Sequence, residues 1–150
     1  MTRSLIPLLI AGAAFGSVSD DLQRFEGFSD TSYVCTAGHL SVGYGHRTTK
    51  SVTMSRETAL DVLADDIAKA EQGARRAFPS YGDLPTHIQE VLVEAVFQLG
   101  QSGISKFTKF IKAINGRNYA DAAAEMLNSK WAKQCPTRVN ELAQRIKETK

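Results

Sequence analysis

Glu26 stands where a predicted helix gives way to a run of glycines and aromatics, and a carboxyl group in that setting can do acid–base work. The helix reads from Ser19 to Phe25, with Ser19 as its cap, Asp20 and Asp21 in its first turn, and Leu22 and Phe25 on one face. Gly27 ends it. Glycosidic cleavage needs a carboxylic acid held partly out of water, so that it stays protonated near neutral pH. Phe25 and Phe28 flank Glu26 and could supply that surrounding. The plainer reading is a surface glutamate at a helix terminus. Asp30, four residues on, is a second carboxylate in the same hairpin entry, but it reads as a turn or surface residue.

Other chemistries find less support. Cys35 and Cys135 stand a hundred positions apart, without CxxC or Cys/His spacing, which argues against a structural zinc site. His39, His46 and His87 are scattered and form no HExxH pattern; each reads as a surface or hydrogen-bonded histidine. Eighteen basic and sixteen acidic side chains leave a formal charge of +2, too weak a bias for a nucleic-acid binder. That balance suits approach to an anionic cell wall without pointing to one.

The elements that must position these residues follow from periodicity. Across residues 28–48, Tyr33, Val34, Leu40, Val42 and Tyr44 are strand formers separated by Ala37-Gly38, Gly43 and Gly45, predicting a small irregular antiparallel sheet. After Thr53 the chain reads as helical. Leu60, Leu63, Ala64, Ile67, Ala70 and Ala74 mark one long helix, capped by Thr53 or Ser55 and ending before Pro79. A second runs through Ile88, Val91, Leu92, Ala95, Val96 and Leu99, entered through Pro85 and closed by Gly100. Phe107, Phe110, Ile111 and Ile114 mark a third. Tyr119, Ala123, Met126, Leu127 and Trp131 mark a fourth, and Val139, Leu142, Ala143 and Ile146 a fifth. The expected class is α+β: a small β-containing lobe, a long connecting helix, then a helical lobe. Ligand sites tend to lie where such lobes meet.

Residues 1–16 are set apart from a single domain over 17–150. From Ser4 to Gly16 the chain carries no charge, and this run is shorter than the roughly 20 residues that span a bilayer. It fits the apolar region of an export signal as well as it fits a helix packed on the domain.

The hairpin motif carries a resemblance. Glu26-Gly27, then Tyr33, then Ser41-Val42-Gly43-Tyr44-Gly45-His46 resembles the active-site hairpin of phage lysozymes, glycoside hydrolase family 24. That motif has E-G, an Asp or Cys, a Thr, and a G-x-G-H turn at fixed spacing. Here eight residues separate Glu26 from Cys35 and five separate Cys35 from Ser41. Ala95-Val96-Phe97-Gln98-Leu99-Gly100 is similar to the family's VFQ-x-G helix. Phe107 follows, and Trp131 to Arg138 is similar to its W-x-x-Q-x-P-x-R segment. The resemblance spans roughly residues 19–147. It implies a lysozyme-like fold with a cleft between the lobes, a monomer, and cleavage of the β-1,4 bond between N-acetylmuramic acid and N-acetylglucosamine in peptidoglycan. It gives Glu26 the role of general acid and Arg138 that of its orienting guanidinium. Phe97 and Gln98 approach the sugar, and His46 buttresses the hairpin. No metal or organic cofactor is called for, since the reaction needs a proton and an oriented water.

Two positions depart from the commonest family pattern. Ser41 replaces threonine and keeps a hydroxyl that can hold water. Cys35 stands where many relatives have aspartate, and a thiol does that work well only as a thiolate. We read it as catalytic, as in cysteine-bearing relatives; a small buried thiol in a non-catalytic site is the plainer alternative. The resemblance also places Cys135 on the helical lip of the cleft, which raises a Cys35–Cys135 disulfide, joined with transient membrane association through residues 4–18. A count of thiols before and after reduction, with activity in both states, decides that pairing. A lytic transglycosylase, which needs one acid/base glutamate, and a non-catalytic wall-binding module are the competing functions.

Overall fold

The computed structural model describes residues 16–35 and 38–150. The reading of the apolar N-terminal segment as a signal, anchor or packed helix concerns residues almost wholly outside these. Among the described residues, no helix is long and apolar enough to cross a membrane. The chain divides into two compact units, one reaching to Lys69 and one from Ala70 to Lys150. Its class is α+β, with seven helices and a three-stranded antiparallel sheet among the described residues.

In the first unit α1 spans Gly16–Glu26. It begins earlier than the predicted start, so Ser19 lies inside it and accepts a hydrogen bond from Gln23 Nε2 at 3.2 Å instead of capping the helix. Val18 and Leu22 are fully buried. The sheet has strand order β1 (Ser29–Val34), β2 (Leu40–Gly43), β3 (His46–Arg47). A bulge interrupts the β1–β2 register between Ser29 and Tyr33. Thr53 forms a bridge with Thr31, which leaves the cap of the next helix to Ser55, whose Oγ accepts from the Thr58 N–H at 3.1 Å.

The long helix α2, Arg56–Ala77, contains the boundary between the units. Its buried stripe is Ala59, Leu63, Ile67, Ala70 and Ala74, a run of fours and one three. Leu60, expected in that stripe, is 40% exposed, and Ala64 is exposed as well; the stripe lies one position N-terminal to each.

The second unit builds its core from helices. α3, Thr86–Ser105, starts after Pro85 and is broken at Gly100, whose φ of 72° and ψ of 170° are not helical. The chain then resumes helix, where the sequence predicts a stop. α4 spans Thr108–Asn115, α5 Tyr119–Leu127, α6 Lys130–Gln134 and α7 Pro136–Lys147. The single predicted fourth helix is thus two: Ser129 accepts from the Ala132 N–H at 3.2 Å and starts a new one. Val139, Leu142, Ala143 and Ile146 form the buried face of α7, which packs on α3, α5 and α6.

Candidate active site

Glu26 is the last residue of α1, and the Gly27 N–H donates to the Gln23 carbonyl at 3.0 Å, so the acid leaves a fixed turn. Its carboxyl lies against the turn that joins β2 to β3. A methyl group built on Gly45 would come within 2.7 Å of Glu26 Oε2. Gly45 has φ +74°, the left-handed conformation that a tight hairpin turn demands. One missing side chain therefore closes the hairpin and leaves space for the acid.

Tyr33 and Ser41 are cross-strand partners in β1 and β2, which puts their side chains on one face of the sheet. Ser41 is buried and Tyr33 half-buried. Burial pushes the Tyr33 phenol above its usual range, and the negative charges of Glu26 and then Cys35 push it further. Those influences put Tyr33 within electrostatic reach of both Glu26 and Cys35. Cys35 is half-buried just past β1; its N–H donates to the His39 carbonyl and its carbonyl accepts from Gly38, both at 2.8 Å. Asp30 is exposed, as read from sequence, and its carbonyl accepts from the Met54 N–H.

The hairpin itself is tied down. His46 Nδ1 lies 2.7 Å from Asp66 Oδ2 on α2. Gly43 lets the hairpin approach that helix, since a Cβ there would meet Ala59 Cβ and Met54 Sδ at 3.1 Å. Arg56 donates to the Tyr44 hydroxyl at 3.1 Å and lies over the Phe28 ring, which itself meets the Tyr44 ring at 5.5 Å. The aromatic neighbours expected around Glu26 are thus shared with cations: Arg56 covers Phe28, and Arg24 covers Phe25 at 4.2 Å. Burial of Glu26 is only partial.

The second unit supplies its own cluster. Phe97 and Gln98 are half-buried near the end of the regular part of α3. Arg138 is buried in the first turn of α7, and its Nη1 donates to Gln98 Oε1 at 2.7 Å. Gln98 Nε2 donates in turn to Cys135 Sγ at 3.0 Å. Of the remaining histidines, His39 is exposed and His87 bonds Thr149 Oγ1 at 2.7 Å. Among the described residues no group of His, Cys, Asp and Glu is arranged to hold a metal ion.

Sequence puts Tyr33 in the hairpin motif without a role, and marks neither Asp66 nor the hydrogen bond from Gln98 to Cys135. Tyr33 is legible as a strand former and as a member of the hairpin motif, but its electrostatic tie to Glu26 is not. Nothing in the spacing marks Asp66, one of several acids on an amphipathic helix.

Residues 23–148 match the phage lysozyme family, and the chain belongs to it. With the fold, this makes the protein a glycoside hydrolase of the lysozyme class. It is 27% identical to a probable T4-type lysozyme 2 of Dictyostelium discoideum, over 83% of this chain and 89% of that protein. An endolysin of Acyrthosiphon pisum secondary endosymbiont phage 1 is 28% identical over 75% of each chain. The peptidoglycan hydrolase gp36 of Pseudomonas phage phiKMV is 30% identical over 84% of this chain, which spans 14% of that longer protein.

Proposed function

We propose that this chain is an endolysin that degrades bacterial peptidoglycan, hydrolysing the β-1,4 bond between N-acetylmuramic acid and N-acetylglucosamine. Glu26 protonates the leaving glycosidic oxygen. The observation that carries this reading is the Glu26 carboxyl seated against Gly45, with Tyr33 in electrostatic reach of both Glu26 and Cys35. Ser41, buried opposite Tyr33, holds the attacking water, and Cys35 acts from the position that aspartate takes in many relatives. Phe97 and Gln98 approach the glycan, Arg138 holds the Gln98 amide, and His46 holds the hairpin to α2 through Asp66. The chain acts on the wall as a monomer.

Purified cell walls test the proposal. Wild-type protein clears them and leaves reducing N-acetylmuramic ends, visible by mass spectrometry of the soluble fragments. Glu26→Gln slows clearing by about two to four orders of magnitude, the usual contribution of a general acid. Anhydromuramic ends would instead show a lytic transglycosylase. A wild-type protein that binds the walls without clearing them, and binds them equally well as Glu26→Gln, would leave only a wall-binding module.

A further inference from the structure

The Gln98 amide is held at both ends, and the group that holds its nitrogen is a thiol. A guanidinium offers only donors, so the Gln98 atom 2.7 Å from Arg138 Nη1 has to be the carbonyl oxygen. That settles which way the amide faces. Its NH2 group then points the other way, where Cys135 Sγ accepts one of the two protons at 3.0 Å. The second proton has no acceptor among the described residues. An amide is planar, so fixing the oxygen and one N–H also fixes the direction of the other N–H. The network presents one donor along a set line.

Cys135 is well placed for this because its backbone cannot wander. Its N–H donates to the Trp131 carbonyl at 2.8 Å, closing α6, and its carbonyl accepts from the Val139 N–H at 3.0 Å, opening α7. Pro136 follows directly and restricts its conformation further. Serine, threonine or aspartate at the start of a helix commonly turns its side chain back onto the helix's own N–H groups. The Cys135 side chain makes no such cap and is directed to Gln98 instead.

We propose that Cys135 is a positioning residue for glycan cleavage: its sulfur anchors the Gln98 amide so that the remaining Nε2 proton meets a sugar oxygen, with Arg138 holding the other end. This rests on the reading that Gln98 touches the glycan, and it assigns Cys135 a role that needs no disulfide.

The test is Cys135→Ala alone and combined with Gln98→Ala, in folded protein checked by its melting temperature. Cys135→Ala is expected to lower kcat/KM on purified walls about threefold to tenfold, the loss of one hydrogen bond. In the Gln98→Ala background the same change is expected to cost nothing more, because the two act as one unit. The Gln98 side-chain NH2 resonances in a nitrogen-15 spectrum should move in Cys135→Ala and exchange faster with water. Multiplying losses in the double variant, or unmoved Gln98 resonances, would overturn the proposal. The resonances report the hydrogen bond without any substrate, so an inactive wild-type protein would count against the proposed function and leave this bond standing.

Discussion

At the scale of single residues, the acid and its neighbours make two measurable commitments. The Tyr33 phenol is raised first by burial, then by Glu26 and Cys35, so removing the Glu26 charge must lower it. An ultraviolet alkaline titration of Glu26→Gln should show one phenol ionising earlier than in the wild type; an unchanged curve would separate the two side chains. The sign matters for stability too. A raised folded-state pKa contributes stability below the unfolded value near 10 that is lost as pH climbs through the folded value. Gly45→Ala is expected to act twice. The left-handed backbone costs about 1–2 kcal/mol on any residue with a Cβ. The new methyl also displaces the Glu26 carboxyl, so cleavage falls further than the lost melting temperature accounts for.

Elements were legible where a hydrophobic stripe outlasts its ends. The stripes of α4 and α7 sit where spacing puts them, because Phe110 and Ile114, or Leu142 and Ile146, bury the face that periodicity selects. Boundaries were less so. One serine hydroxyl at 129 separates α5 from α6, and one glycine at 100 bends α3 without ending it. Both are local backbone choices that a stripe does not record. The acid, the hairpin turn and Gln98 could be found by motif spacing. Asp66 and the contact between Cys135 and Gln98 could not, since each depends on a partner that only folding brings near. Helix pairing gives a prediction of its own. Glu94 on α3 is fully buried, and Arg145 Nη1 on α7 lies 3.7 Å from its Oε1. Arg145→Met removes that cation from a carboxylate already out of water and should destabilise the fold by about 3 kcal/mol, read as a lowered melting temperature. Adding Glu94→Leu should recover much of the loss.

On the scale of the whole molecule, core material is distributed unequally. The second unit buries long apolar faces from α3, α4, α5 and α7, with Phe78, Phe110, Ile114, Met126 and Leu142 among its largest fully buried side chains. The sheet of the first unit has strands of six, four and two residues, and Val34 at the end of β1 is 69% exposed. Native-state hydrogen exchange should therefore find the slowest amides in α3 and α7, and faster ones throughout β1–β3. Equal protection in both units would contradict that ordering.

The empty place beside Gly45 has a consequence for anyone who would move this chemistry. The acid is positioned by something the hairpin lacks, so transplanting Glu26 alone, onto a turn of similar shape with an ordinary side chain at that spot, carries the reagent and not its seat. A shorter aspartate would retreat from the turn, and a bulkier residue at 45 would push the glutamate off it. The two positions make one portable part, and either half without the other is only a glutamate or only a bend.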